Sequence, residues 1–125
     1  MIANIAKKEL KDCEIVNYWA NTIPIMRMLK KEDDLYLDEL FLLSLIYRLY
    51  IEKGSHIRIS AINKAFNVLS YKREKMIANL MNRGYIGHSG PERGFNQAYR
   101  IVVTTFGEQL LIKYEKALRR LCNEA

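Results

Sequence analysis

Apolar residues recur at helical spacing near both ends of the chain, and only short runs in between alternate with polar ones. From residue 8 to 31, Ile15, Val16, Trp19 and Ile23 form a stripe that predicts a helix. Pro24 removes a backbone donor, so "NTIPIM" reads either as a kink or as a cap, Asn21 or Thr22, opening a second segment. The polar break "KEDDLYLDE" follows. Its Asp34 and Asp38 are expected to cap and charge the start of the next helix rather than to hold a metal. Residues 37 to 53, "LDELFLLSLIYRLYIEK", predict a strongly apolar helix that stops at Gly54.

In "HIRIS" the pattern changes to alternation, predicting a short strand with Ile57 and Ile59 on one face. Ser60 is expected to cap a brief helix, "AINKAF", and Asn67 to supply a tight turn. Ser70 caps the next predicted helix, whose Met76, Ile77 and Leu80 are its buried side and which ends at Gly84. "YIGH" and "AYRIVVT" read as a strand pair joined by the turn-rich "SGPERGFNQ", with Arg93 at its tip. A last helix is expected from about 105 to 122, with Thr105 and Glu108 as a capping box. Its apolar stripe is Leu110, Leu111, Tyr114, Ala117, Leu118 and Leu121.

Helix, strand, helix, turn, helix, strand, loop, strand is the order of a winged helix-turn-helix. The predicted class is therefore mainly α (α+β), a single domain over 1–125. The winged core occupies 36–104, and helical regions at 1–35 and 105–125 extend it. A chain of 125 residues is one domain's worth.

Charge sharpens this picture. The net charge is +6, and residues 53 to 104 carry nine basic residues against two acidic ones, a net of +7. The remainder is nearly balanced, so the middle segment is where a polyanion would dock. The longest apolar run, "LFLLSLIYRLYI", has 12 residues and contains Arg48, too short to span a bilayer. With no signal-peptide pattern in "MIANIAKKELKD", the expectation is a cytoplasmic protein with no membrane partner. Cys13 and Cys122 have no metal-site spacing and read as small apolar residues. A thiol sensor is the alternative, which Asp12 and Glu14 beside Cys13 disfavour.

Catalytic ingredients are missing. His56 and His88 have no cysteine or carboxylate at motif spacing, and "GYIGHSGPERG" lacks the Gly-Lys-Ser/Thr ending of a phosphate loop. The expectation is a protein that is not an enzyme, with no cofactor and no metal.

Four pieces carry a likeness to a known family: "FLLSLIY", "IRISAINKAF", "YKREKMIANLMNRGYI" and "YRIVVTTFGEQLL". In their order and spacing, with Thr104 and Gly107 at the strand-to-helix junction, the chain resembles the MarR family of bacterial transcription regulators. "GPERGFNQ" departs from the family's wing in its extra glycines, and Tyr71, Lys72 and Arg73 stand together unusually at the helix start. The resemblance implies a homodimer on double-stranded DNA, and it leaves room for a small-molecule effector near Tyr18, Trp19, Tyr36 and Tyr47.

The chemistry of the residues points the same way. In helix-turn-helix docking the second helix enters the major groove by its N-terminal part. Tyr71, Lys72, Lys75 and Asn79 are expected to face DNA, with Arg73 beside them. Lys72 and Lys75 suit phosphates or guanine edges, and Asn79 suits adenine. Ser70 and the free amides at the helix start suit a phosphate. Arg93 would enter the minor groove or follow the backbone, Arg58 and Lys64 would meet phosphates, and Arg100 would pair across the hairpin. The terminal helices need something to bury against, so Trp19, Ile23, Leu110, Tyr114, Leu118 and Leu121 are the expected dimer contacts. The expected function is a sequence-specific transcriptional regulator, most simply a repressor. A winged-helix protein-interaction module, or a plasmid or phage replication or maintenance factor, would share these features.

Overall fold

The computed structural model describes residues 14–124 apart from 55, 67–69 and 90–99. Its elements are α1 (Glu14–Asp33), α2 (Leu37–Lys53), β1 (Ile57–Arg58), α3 (Ile59–Ala65), α4 (Ser70–Asn82), β2 (Ile86–Ser89), β3 (Arg100–Val103) and α5 (Thr105–Glu124). The chain is mainly helical, with one small antiparallel sheet in the order β1-β3-β2. It divides into two compact units. One is Leu37–Ile112; the other joins the chain up to Tyr36 with Lys113 onward.

The first unit is built on α2, whose Leu40, Leu42, Leu43 and Ile46 are all buried. Apolar residues surround more of this helix than a single stripe would, which is how a central helix with several neighbours reads. It packs on β1, β3, α3 and α4. Gly54 ends it at φ +67°, donating its N–H to the Tyr50 carbonyl at 2.9 Å. In the sheet, Ile57 pairs with Ile101 and Ile86 with Val103, so these four side chains share the buried face. Arg58, Arg100, Val102 and Gly87 fall on the opposite face by the period-2 rule. The strand expected over "HIRIS" is shorter than its alternation suggests. Ile59 already starts α3 with Arg58 at the N-cap, so Ser60 lies inside the helix and does not cap it. Both isoleucines are nonetheless buried, because the first turn of α3 keeps Ile59 turned inward.

The junction after β3 joins three elements. Thr104, not Thr105, caps α5: its hydroxyl accepts the Gly107 N–H at 3.0 Å and donates to the Gly84 carbonyl at 2.6 Å. Glu108 returns its N–H to the Thr104 carbonyl, so the start of α5 lies one residue earlier than the capping-box pattern implied. A Cβ on Gly107 would overlap the Tyr85 carbonyl oxygen and press on Val103. Thr104 and Gly107 therefore act as a pair, one bonding the turn after α4 and the other allowing its approach. Tyr85 and Phe106 stack across the same joint, ring centroids 4.9 Å apart.

In the second unit, α1 is one continuous helix through Pro24. Thr22 does not open a second segment; its hydroxyl bonds back to the Trp19 carbonyl at 2.6 Å. The helix stops at Asp34, which adopts φ +53° and pairs with Lys30 at 2.6 Å. Asp34 thus ends α1 rather than opening α2, while Asp38 does stand in the first turn of α2. The C-terminal part of α5 runs antiparallel to α1, since Asn21 meets Cys122 at one end and Asp33 meets Lys113 and Tyr114 at the other. Asp33 and Glu32 hold the Lys113 ammonium, and the Asp33 hydrogen bond is the chief reason its pKa lies above the ordinary 10.5. Tyr114 is buried here with its hydroxyl on Asp33, and Leu110 is buried within the other unit. Neither can contact a second copy as expected: α5's helical period turns both toward the chain's own interior. No described helix is long and apolar enough to cross a membrane.

Candidate nucleic-acid interface

α4 buries one side and presents the other. Met76, Ile77 and Leu80 are buried as their spacing requires, and Arg73 lies on the same side, three, four and seven positions before them. Its guanidinium donates to the Phe66 carbonyl at 3.3 Å, closing the end of α3. Arg73 is therefore a structural residue of the helix pair and not a DNA-facing one. Helical period decides this over residue type.

Asn79 is the second correction. It sits at the edge of the buried side, half-covered, and its amide donates to the buried carboxylate of Glu39 on α2. The same amide accepts a bond from Arg83 Nε at 3.2 Å. A cation, an amide and a carboxylate thus form a chain fastening the end of α4 to the start of α2, where the helix N-terminus favours a negative group. An amide held on both sides is not available to an adenine edge. Lys72, in the first turn of the helix, lies near Asp38 at 4.0 Å with both side chains about half exposed. Such an exposed pair is worth about 0–1 kcal/mol and yields readily to a phosphate.

The outward face is Tyr71, Lys75, Ala78 and Asn82, all exposed and spaced at i, i+4, i+7 and i+11. Tyr71 is 69% exposed, unusual for a large aromatic without a partner. Ala78 at the centre leaves room for a groove wall or base edge to approach the helix backbone. Asn82 supplies an amide donor and acceptor of the kind expected of Asn79. Ala78 and Asn82 share this face with Tyr71 by the helical period alone. Glu74 is also exposed and flanks this face, so the surface is not uniformly cationic.

The other expected contacts divide as follows. Ser70 begins α4, but its side chain lies outside the described residues, as do Arg93 and the loop it tips. Arg58 is exposed on β1, and Lys64 is exposed on α3. Arg100 is half-buried and stands opposite Arg58 in register.

Of the expected dimer residues, Trp19 (65% exposed) and Ile23 (50%) lie open on α1, and Met26 continues their stripe. Leu118 and Leu121 are half-buried. Among the four aromatics considered for an effector, Tyr36 lines an open hollow of about 440 Å³ with Met26, Arg27, Lys30, Lys31 and Leu35. Lys30 stands 4.4 Å from the centre of the Tyr36 ring, and its hydrogen bond to Asp34 is the main cause raising its pKa. Among the described residues no group of histidine, cysteine and carboxylate side chains could hold a metal.

Comparison with protein-family models and with curated proteins gave no match to this chain.

Proposed function

We propose that the protein is a winged helix-turn-helix DNA-binding regulator. It acts as a homodimer and, most simply, as a repressor that occupies a palindromic operator. The observation that carries this reading is α4, a helix anchored by Arg73, Met76, Ile77 and Leu80 that offers Tyr71, Lys75, Ala78 and Asn82 to solvent. A phenol, an ammonium and an amide around a small residue can both hold phosphates and read base edges. The helix follows α3 across a short connection and precedes a two-stranded hairpin, the arrangement that a recognition helix and wing require. It also lies inside the segment holding the entire positive excess.

Self-association is read from α1. Trp19, Ile23 and Met26 form an exposed apolar stripe at i, i+4 and i+7, the pattern of a helix that meets a partner. Paired copies would present two recognition helices to successive half-sites.

The test is selection from random duplexes across a salt series. Wild type is expected to enrich a site with two-fold symmetry and to lose affinity steeply with salt. Lys75→Ala should weaken all sites about equally, whereas Asn82→Ala should relax preference at one position, a discrimination of about 1–3 kcal/mol. Both positions are exposed, so folding stability should stay within about 0.5 kcal/mol. Binding to an acidic protein with no measurable affinity for duplex DNA at low salt would replace this reading with an interaction module.

A further inference from the structure

The exposed side of α1 has two unlike ends. Toward the N-terminus stands Trp19, 65% exposed and the only tryptophan of the chain. Toward the C-terminus stand Arg27, Lys30 and Lys31, around the hollow of about 440 Å³ that Met26, Leu35 and Tyr36 also line. A space of that size is at the small end of pockets that hold a molecule, about 300–1,000 Å³, and takes one fused ring system. Trp19, Ile23, Met26 and Lys30 are all exposed and follow one another at i, i+4, i+7 and i+11. The ring and the hollow therefore lie on a single stripe, with about 10 Å of helix axis between Trp19 and Met26.

A helix with a knob at one end and a hole at the other is complementary to a second copy of itself when the two run antiparallel. In a two-fold pair centred on Ile23, residues equally far before and after that position meet. Trp19 then falls opposite Arg27 of the second copy, between Met26 and Lys30 of its stripe. The long Met26 side chain falls opposite Ala20, which is exposed and small enough to leave it room. A parallel pair is disfavoured by charge, because it sets Arg27, Lys30 and Lys31 against the same three cations. The antiparallel pair sets an aromatic ring there instead. Lys30 already holds its ammonium 4.4 Å from the centre of the Tyr36 ring, and an indole entering the hollow gives the cations a second aromatic face.

The geometry points to a socket for the tryptophan of a second copy: in the homodimer, each protomer's Trp19 fills the hollow between Met26, Lys30 and Tyr36 of the other. The socket rests on the self-association read from α1 above and names the contact that holds it. The contact occurs twice in each dimer.

Because the chain has one tryptophan, its emission reports on the socket directly. Wild type, Trp19→Ala, Tyr36→Ala and an equal mixture of the two variants are diluted in parallel. Light scattering gives the mass, and emission wavelength with acrylamide quenching gives the surroundings of the ring. Both side chains are exposed in the single chain, so neither substitution should unfold it. In the expected result, the wild-type dimer has blue-shifted, quencher-protected emission that moves to the red as dilution yields monomer. Each variant alone pairs about thirtyfold more weakly, the scale of a buried aromatic anchor. The mixture pairs more tightly than either variant. In it, Trp19 of the Tyr36→Ala copy enters the intact hollow of the Trp19→Ala copy, and its emission returns to the blue.

A dimeric wild type whose Trp19 is quenched as readily as free tryptophan overturns the socket and leaves the dimer standing. A wild type that is monomeric at every concentration, with Trp19 in water, removes both. Trp19 shielded in a monomer assigns its cover to the chain itself and overturns the socket. So does a mixture that pairs no better than its two parents.

Discussion

Asn79 shows how a residue's neighbours outweigh its type. An asparagine on a basic helix suggests base reading, but here its amide joins Arg83 to the buried Glu39. Removing it takes a donor from a carboxylate that water cannot reach. Asn79→Ala should therefore lower stability by about 1–3 kcal/mol, measured as a lower urea midpoint at an unchanged slope. Its effect on sequence preference should be smaller than that of Asn82→Ala. Arg73 makes the same point from periodicity alone. Its place three, four and seven residues before the core positions was visible in the chain, and only the pull of a cluster of charges obscured it. Glu39 could not have been linked to Asn79 in that way, because forty residues separate them and no local pattern connects the two.

Among elements, the start of α5 is the best example of a joint set by small residues. Thr104 satisfies the helix end and grips the turn after α4, while Gly107 lets the backbone of Tyr85 come close. The neighbour that a Cβ would strike is backbone, which cannot swing aside. Gly107→Ala should cost about 2–3 kcal/mol, read by thermal or urea unfolding, and it should loosen the position of α4 relative to the sheet. A rise in melting temperature on that substitution, the usual reward for replacing a helical glycine by alanine, would refute this account. The Thr-x-x-Gly spacing was legible in the sequence. Which threonine capped the helix was not, because Thr104 and Thr105 are adjacent and only the position of the turn chooses between them.

At the scale of the molecule, the exposed apolar stripe of α1 bears on assembly. Trp19→Asp with Ile23→Asp should shift the protein to a monomer in light scattering without unfolding it, since both side chains are already in water in the single chain. An unchanged mass would remove α1 from any dimer contact, and a wild type that is itself monomeric would remove the dimer. Cooperative binding to two half-sites should vanish in the same variant, while contact with a single half-site persists. The pairing of α1 with α5 carries its own pH signature. Lys113 gains Asp33 and Glu32 on folding and its pKa rises above 10.5, so this stabilisation is complete below that pH and is lost as the pH climbs through the raised value. Lys113→Met should flatten that alkaline limb in a pH series of unfolding curves.

Hydrophobic period, glycine stops and the placement of charge determined the helices, the strand pair and the segment that holds the positive excess. Those signals act over one or two turns of chain, and a single sequence states them directly. The tertiary structure decided which polar groups on α4 point outward, that Leu110 and Tyr114 serve the chain's own interior, and that Asn79 meets Glu39. Each of these depends on residues far apart in the chain being brought together, and on whether the partner they meet is a carboxylate or an apolar side chain.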